Sequence, residues 1–77
     1  MSLKEFLKNK TGKPIIALCY KLPESNYRKD PLTASLKIQE AVQNKALRMG
    51  KQIGKVNVET LKLNGYVYVK GWAEVLE

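Results

Sequence analysis

The start of the chain carries the apolar spacing of a short helix. Three apolar side chains recur at i, i+3 and i+4: Leu3, Phe6 and Leu7. Ser2 and Glu5 have the spacing of a capping box, which places a helix N-terminus at Ser2. We therefore expect a helix over residues 3–10, ended by Gly12. A helix this short must dock its apolar face on the rest of the molecule to persist.

A strand and a loop are predicted next. Residues 15–20 are continuously apolar and rich in β-forming side chains, which is typical of a strand buried on both faces. We expect Pro23 to end it and residues 22–31 to form a loop. Asp30 followed by Pro31 is a strong helix start, because the first offers an N-cap acceptor and the second suits the first helical position.

The helix that follows is long and is expected to run from Leu32 to about Met49, closed by Gly50 or Gly54. On a helical wheel its polar side chains form one contiguous arc: Thr33, Lys37, Glu40, Asn44, Arg48 and Lys51. Its apolar side chains spread over the remainder: Leu32, Leu36, Ile38, Val42, Ala46, Leu47 and Met49. This breadth predicts that the helix packs on a sheet and also contacts the N-terminal helix or a partner chain.

The last stretch has the pattern of a hairpin. Asn64-Gly65 between alternating apolar runs predicts a two-residue turn in which Leu63 pairs with Tyr66. In that register Glu59 faces Lys70, and we expect the two to form an ion pair. One face then carries Leu61, Leu63, Tyr66, Tyr68, Lys70 and Trp72, and we call it the aromatic face. The opposite face carries Val56, Val58, Val67, Val69, Ala73 and Val75.

Two positions in the hairpin depart from regular pairing. In its first strand the apolar residues stand at even positions up to Val58 and at odd positions from Leu61. This change in the alternation allows a bulge near Glu59-Thr60. Gly71 interrupts the second strand, where the missing side chain can admit a close neighbour.

These elements predict a single α+β domain over residues 1–77, in the order helix, strand, helix, strand, strand. The expected sheet is three-stranded and mostly antiparallel, packed on one long helix. The favoured strand order is 1-3-2, with the last strand between the other two, and 1-2-3 is the alternative. The long helix would cover the valine face, which leaves the aromatic face for the N-terminal helix, a second subunit or a ligand.

Composition excludes several kinds of function. The chain has no histidine and one cysteine, which rules out an intrachain disulfide, a Cys/His zinc site and a histidine base. We expect no enzymatic activity, no cofactor and no metal, because the seven carboxylates do not pair in an obvious way. Without a secretory pattern or a bilayer-spanning apolar run, we expect a cytoplasmic protein with no membrane partner. Leu76-Glu77 has the character of an expression scar.

The charge is unevenly distributed along the chain. Fourteen Lys and Arg against seven Asp and Glu give a net charge of +7. Residues 1–29 hold seven basic and two acidic side chains, whereas residues 55–77 hold three of each. A basic N-terminal third favours polyanionic partners, either nucleic acid or an acidic protein, while solubility alone is the plain alternative.

Three surfaces are candidates for nucleic-acid binding. The aromatic face has rings beside a lysine, as in platforms that stack bases, although such rings also form cores and dimer interfaces. The polar arc of the long helix and the loop around Arg28 offer cations for phosphates, although both also suit an ordinary solvated surface. The predicted nucleic-acid-binding residues are Lys13, Arg28, Lys29, Lys37, Arg48, Lys51, Tyr66, Tyr68, Lys70 and Trp72. Cys19, within the apolar run, is expected to pack as a small hydrophobe.

The leading hypothesis is therefore a small basic nucleic-acid-binding module, for DNA or RNA, that contacts phosphates through its basic N-terminal third and the polar face of the long helix. The alternative is a protein-interaction module: a homodimer, an adaptor or a small inhibitor of an acidic partner. It would use the aromatic face as a hydrophobic interface, since Tyr and Trp are frequent interface anchors.

Overall fold

The computed structural model describes residues 2–76. They contain three helices and four strands. In chain order they are α1 (Leu3–Phe6), β1 (Ile15–Pro23), α2 (Glu24–Lys29), α3 (Pro31–Met49), β2 (Gln52–Ile53), β3 (Asn57–Leu63) and β4 (Tyr66–Leu76). The predicted α+β class with one long helix on an antiparallel sheet is confirmed. Glu77, half of the suspected expression scar, lies outside the described residues.

The final strand, β4, is the centre of the sheet. It pairs antiparallel with β1 on one side and with β3 and β2 on the other. The last strand was expected between its partners, and it lies there. The order differs from the predicted one by an added two-residue strand, β2, which pairs with the end of β4 ahead of β3.

The bulge predicted near Glu59-Thr60 is wrong in its position. Glu59 and Thr60 pair regularly with β4. Instead, the chain advances four residues from Ile53 to Asn57 while its partners on β4, Val75 and Trp72, are three residues apart. One extra residue therefore lies within residues 54–56, which is the defining feature of a β-bulge.

The hairpin has the predicted turn and register. Asn64 and Gly65 both have positive φ, 53° and 80°, as a type I′ turn requires. Leu63 pairs with Tyr66, and the same register continues without interruption to Asn57 and Trp72. Because side chains alternate along a strand, the valines of β4 share one face and its aromatic residues share the other.

Helix α3 covers the valine face, as expected. Asp30 accepts a hydrogen bond from the backbone N–H of Thr33 at 3.1 Å, and Gly50 ends the helix with a φ of 66°. A single ridge of α3 faces the sheet: Ala34, Ile38, Val42 and Ala46. A Cβ built at Gly71 would lie 2.7 Å from Cγ1 of Ile38, so the predicted close neighbour at Gly71 is confirmed.

The apolar arc that α3 buries is narrower than predicted. Leu32, Leu36 and Leu47 are 68%, 55% and 77% exposed. Residues spaced by four form one ridge on a helix, and only that ridge reaches the sheet. The leucines lie on a flank beyond it, outside the core.

Helix α1 is one turn long and does not extend to residue 10. Its N-cap is Ser2, as predicted, but it ends at Phe6, well before Gly12. The side chains of Asn9 and Thr11 bond to the backbone of a turn over residues 9–13. Such local bonds compete with helical ones and end the helix early.

Two further predictions are corrected. Strand β1 is an edge strand whose exposure alternates, so it is not buried on both faces. The predicted loop over residues 22–31 contains the helix α2. An ion pair between Arg28 and Glu24, spaced i to i+4 with 2.7 Å between Nη2 and Oε2, stabilises this helix. Tyr27 packs on the core.

Candidate nucleic-acid interface

The aromatic face of the sheet is partly covered by residues 2–13, which we call the N-terminal segment. Phe6 is its anchor, with 3% of its surface exposed. The ammonium of Lys70 donates to the carbonyl oxygens of Phe6 at 2.9 Å and Lys8 at 3.3 Å. The same ammonium lies 5.8 Å from the centroid of the Phe6 ring. A short helix that would not persist alone is thus attached to the sheet by one ring and one lysine.

Lys70 consequently has a different environment from the one predicted. It is 4% exposed, with its donors directed at backbone carbonyls inside the protein. Glu59 faces it across the hairpin, but no ion pair joins them. Glu59 instead accepts a hydrogen bond from Nε1 of Trp72 at 2.9 Å. A phosphate could reach Lys70 only if the N-terminal segment moved.

The N-terminal segment brings cations to the aromatic face. It carries four lysines against one acidic residue, Glu5: Lys4, Lys8, Lys10 and Lys13. Lys8 and Lys10 line a cavity of about 30 Å³ together with Trp72. That volume suits one or two water molecules and is too small for a base. Any base must therefore contact the outer surface of the face.

The aromatic side chains differ in how much surface they offer. Tyr66 is 41% exposed, and the ammonium of Lys21 lies 4.8 Å from its ring centroid. Tyr68 and Trp72 are half-buried. Alternate residues on a strand are about 7 Å apart, so Tyr66 and Tyr68 present neighbouring rings. Trp72 is the least available, because its N–H is bound by Glu59 and the N-terminal segment passes beside it.

The other predicted cations lie elsewhere. Lys37 and Arg48 are exposed on α3, on the opposite side of the sheet, and Lys51 follows that helix. Arg28 is paired with Glu24 in α2, and Lys29 is exposed at the end of the same helix. The ten predicted residues therefore do not form one surface.

Lys13 is near the aromatic face but has a weak partner. Its ammonium lies 4.0 Å from the carboxylate of Glu74, and both side chains are well exposed. Such a pair contributes little to stability, so Lys13 remains available to another anion.

Four cations of this interface were not among the residues named from the sequence, although all four lie in the basic N-terminal third: Lys4, Lys8, Lys10 and Lys21. The position of Lys21 depends on the register of β1 with β4, which places it opposite Tyr68 and which the sequence does not give. The other three depend on where the N-terminal segment docks, for which the sequence holds no local signal.

Cys19 is exposed on β1, so the expectation that it packs as a small hydrophobe is corrected. Partial burial raises the pKa of its thiol, and the nearby charge of Lys70 lowers it to a smaller extent. A raised pKa leaves the thiol protonated and weakly nucleophilic at neutral pH.

Within residues 2–76, no helix is both long and apolar enough to cross a membrane, and no three metal-ligating side chains are grouped. Comparisons of the chain with family models, curated proteins and solved structures found no match.

Proposed function

We propose that this chain is a small nucleic-acid-binding module whose site is the aromatic face together with the N-terminal segment. One observation carries the proposal: Lys70 holds the lysine-rich N-terminal segment on the same sheet face as Tyr66 and Tyr68. Cations beside exposed rings are the two components that single-strand platforms combine.

In this proposal the lysines contact phosphates and the tyrosines stack on bases. Lys8, Lys10 and Lys21 are exposed and flexible, so they can follow a phosphate backbone without a fixed geometry. Rings lying on a sheet reach only unpaired bases, which favours single-stranded DNA or RNA over duplexes. Lys70 acts indirectly, by holding the N-terminal segment in place.

The proposal assigns no direct contact to the cations of α3. Lys37, Arg48 and Lys51 contribute to the positive field that draws a polyanion toward the protein. They cannot touch a strand bound on the aromatic face, because the sheet lies between.

The test is fluorescence anisotropy with labelled single-stranded and duplex oligonucleotides across a series of salt concentrations. We expect preference for single strands. If three or four phosphates are neutralised, log K should fall with log salt with a slope of about −2 to −3. No binding at low salt would overturn the proposal.

Charge reversal on the two sides of the sheet localises the site. The double variant Lys8→Glu/Lys10→Glu should weaken binding by about tenfold or more. The matched double variant Lys37→Glu/Arg48→Glu changes the net charge equally and should have a much smaller effect. Equal losses would show that binding depends on net charge alone, without a defined face.

A separate pair of variants at Tyr66 tests whether its ring stacks on bases. Tyr66→Ala should reduce affinity by about tenfold, since base stacking is worth about 1–3 kcal/mol per base. Tyr66→Phe should keep it, because the phenol hydroxyl is not needed for stacking. Equal loss in both variants would argue against stacking.

A second candidate, a homodimer, is favoured by a different observation. The exposed flank of Leu32, Leu36 and Leu47 on α3 is an apolar surface that a second copy could cover. Light scattering across a dilution series tests it, with Leu36→Lys expected to yield monomers.

The cytoplasmic location expected from the sequence stays a prediction, which a fluorescent fusion in cells would check.

A further inference from the structure

The sheet has two edges, and β1 forms one of them. Along an antiparallel strand, alternate residues direct their backbone groups toward opposite sides. The N–H of Val75 on β4 donates to the carbonyl of Pro14 at 3.0 Å, which sets the phase of this alternation. Four residues of β1 therefore direct their backbone N–H and C=O away from β4: Ile15, Ala17, Cys19 and Lys21. Within the described chain, β1 pairs with no second strand.

Over residues 15–20, strand β1 lacks the features that usually protect an edge; its lysine and its proline, Lys21 and Pro23, lie at the far end of the strand. Its nine residues pair with β4 in one uninterrupted register, and residues 15–20 carry no charge. The opposite edge is protected: a bulge at residues 54–56 separates β2 from β3, and Glu59 and Lys62 place charges along β3. Long, regular, uncharged edges accept an added strand readily.

A groove runs beside this edge on the helix side of the sheet. It has a volume of about 340 Å³, and its apolar floor is formed by Tyr20 and Leu22 of β1. Lys37 of α3 forms part of its wall. A strand added to β1 would direct alternate side chains into this groove, which is how strand-adding sites obtain specificity.

The surroundings of the edge are cationic. Lys45 and Arg48 lie on the same flank of α3 as Lys37, by their helical spacing, where they outnumber the one acidic residue of the polar arc, Glu40, and Lys21 is exposed on β1 itself. Asp30 also lines the groove, but its carboxylate accepts hydrogen bonds from the hydroxyl and backbone N–H of Thr33. A second copy of this +7 chain would bring equal cationic flanks together, whereas an acidic segment would be attracted.

We propose that the open edge of β1 binds an extended acidic polypeptide segment as an added strand. Its backbone bonds to Ala17, Cys19 and Lys21, and the side chains that it directs to the helix side enter the groove, where their carboxylates face Lys37 and Arg48. This surface shares Lys21 with the aromatic face, since the Lys21 side chain lies beside Tyr66 while its backbone faces the open edge, and the proposal does not depend on nucleic-acid binding.

The first test uses a fluorescein-labelled peptide of about ten residues that alternates glutamate with valine. Its binding is followed by anisotropy, and a peptide alternating lysine with valine is the charge control. Cys19→Pro removes an outward N–H without touching the bonds to β4, and should weaken binding by about tenfold or more. Thr60→Pro makes the same change on the opposite edge, where the hairpin alternation also directs the N–H outward, and should leave binding unchanged.

Hydrogen exchange on the unmodified chain gives a readout that does not depend on a proline variant. In the free protein the amides of Leu18 and Tyr20 should exchange slowly and those of Ala17, Cys19 and Lys21 quickly. The peptide should slow exchange of the second set by about tenfold or more.

Several outcomes would overturn the proposal: no binding, equal binding of the lysine peptide, protection confined to β3, or a free protein that sediments as a dimer and whose Ala17, Cys19 and Lys21 amides already exchange slowly. Oligonucleotide affinity of Cys19→Pro is measured in parallel. If it is unchanged while peptide binding is lost, the two sites are independent, and either can fail without the other.

Discussion

The two faces of the sheet are covered by different elements, which are held in place by different kinds of contact. On the helix face, α3 packs an apolar ridge on β4, and Val42, Val67 and Val69 have no exposed surface. On the aromatic face, the cover is the N-terminal segment, attached through Phe6 and the two hydrogen bonds of Lys70. The first cover cannot leave without exposing the core. The second can detach locally, because few interactions hold it.

This difference separates global from local stability. The free energy of unfolding should depend on the helix face, and the accessibility of the aromatic face should depend on Lys70 and Phe6. Proteins commonly place ligand-contacting segments in such regions of low local stability.

The largest effect is expected from Ile38→Ala, which opens a cavity in the helix face. Ile38 is 2% exposed, and such truncations cost about 2–5 kcal/mol of the free energy of unfolding. Urea denaturation measures it, with Leu36→Ala as the control, since Leu36 is 55% exposed on the same helix. The control should change stability by less than about 0.5 kcal/mol. Equal effects would contradict the assignment of the core.

A smaller effect is expected from Lys70→Met on the aromatic face. Methionine keeps the unbranched stem but leaves the carbonyls of Phe6 and Lys8 without their donor. Bonds to charged groups are worth about 1.5–3 kcal/mol, so trypsin should cleave after Lys8 about tenfold faster or more. The midpoint of urea unfolding should fall much less than in Ile38→Ala.

Lys62→Met is the control for that change, because the side chain of Lys62 is 63% exposed and lies on the other side of the sheet. It should leave the cleavage rate unaltered. If Lys70→Met lowered global stability without speeding cleavage, the N-terminal segment would be part of the core after all.

The smallest effect concerns the start of α3 at low pH. The hydroxyl and the backbone N–H of Thr33 donate to Asp30 and lower the pKa of its carboxyl group. A lowered folded-state pKa means that this contribution is present above the ordinary pKa and is lost as pH falls through the lowered value. Relative to its intrinsic rate at the same pH, the Ala34 amide should therefore exchange faster below about pH 4. In Asp30→Asn, which still accepts the bond but does not titrate there, that acceleration should be absent.

Elements specified by local chemistry could be predicted from the sequence. Asn64-Gly65 adopts its turn because of the φ values it requires, and Asp30-Pro31 begins α3 because the cap and the proline are adjacent. The hairpin register follows from the turn, so the aromatic face could be predicted as well. The class of fold follows from these few elements.

Features that depend on distant contacts could not be predicted. Lys70 is 64 positions from Phe6, and the sequence around either residue carries no pattern that predicts their hydrogen bond. The bulge lies at residues 54–56 because Ile53 pairs with the end of β4, a tertiary contact. Helix α2 was missed despite a visible i to i+4 pair, Glu24 and Arg28, because the surrounding composition is typical of loops.

The central place of β4 also bears on how the molecule is made. Every other strand pairs with β4, yet β4 follows all of them in the sequence. During synthesis, β1 and β3 leave the ribosome before β4, their partner within residues 2–76, exists, so this sheet cannot form until β4 has emerged. The apolar run of β1 is unpaired throughout that interval, and unpaired apolar strands are the segments most prone to aggregation before folding is complete.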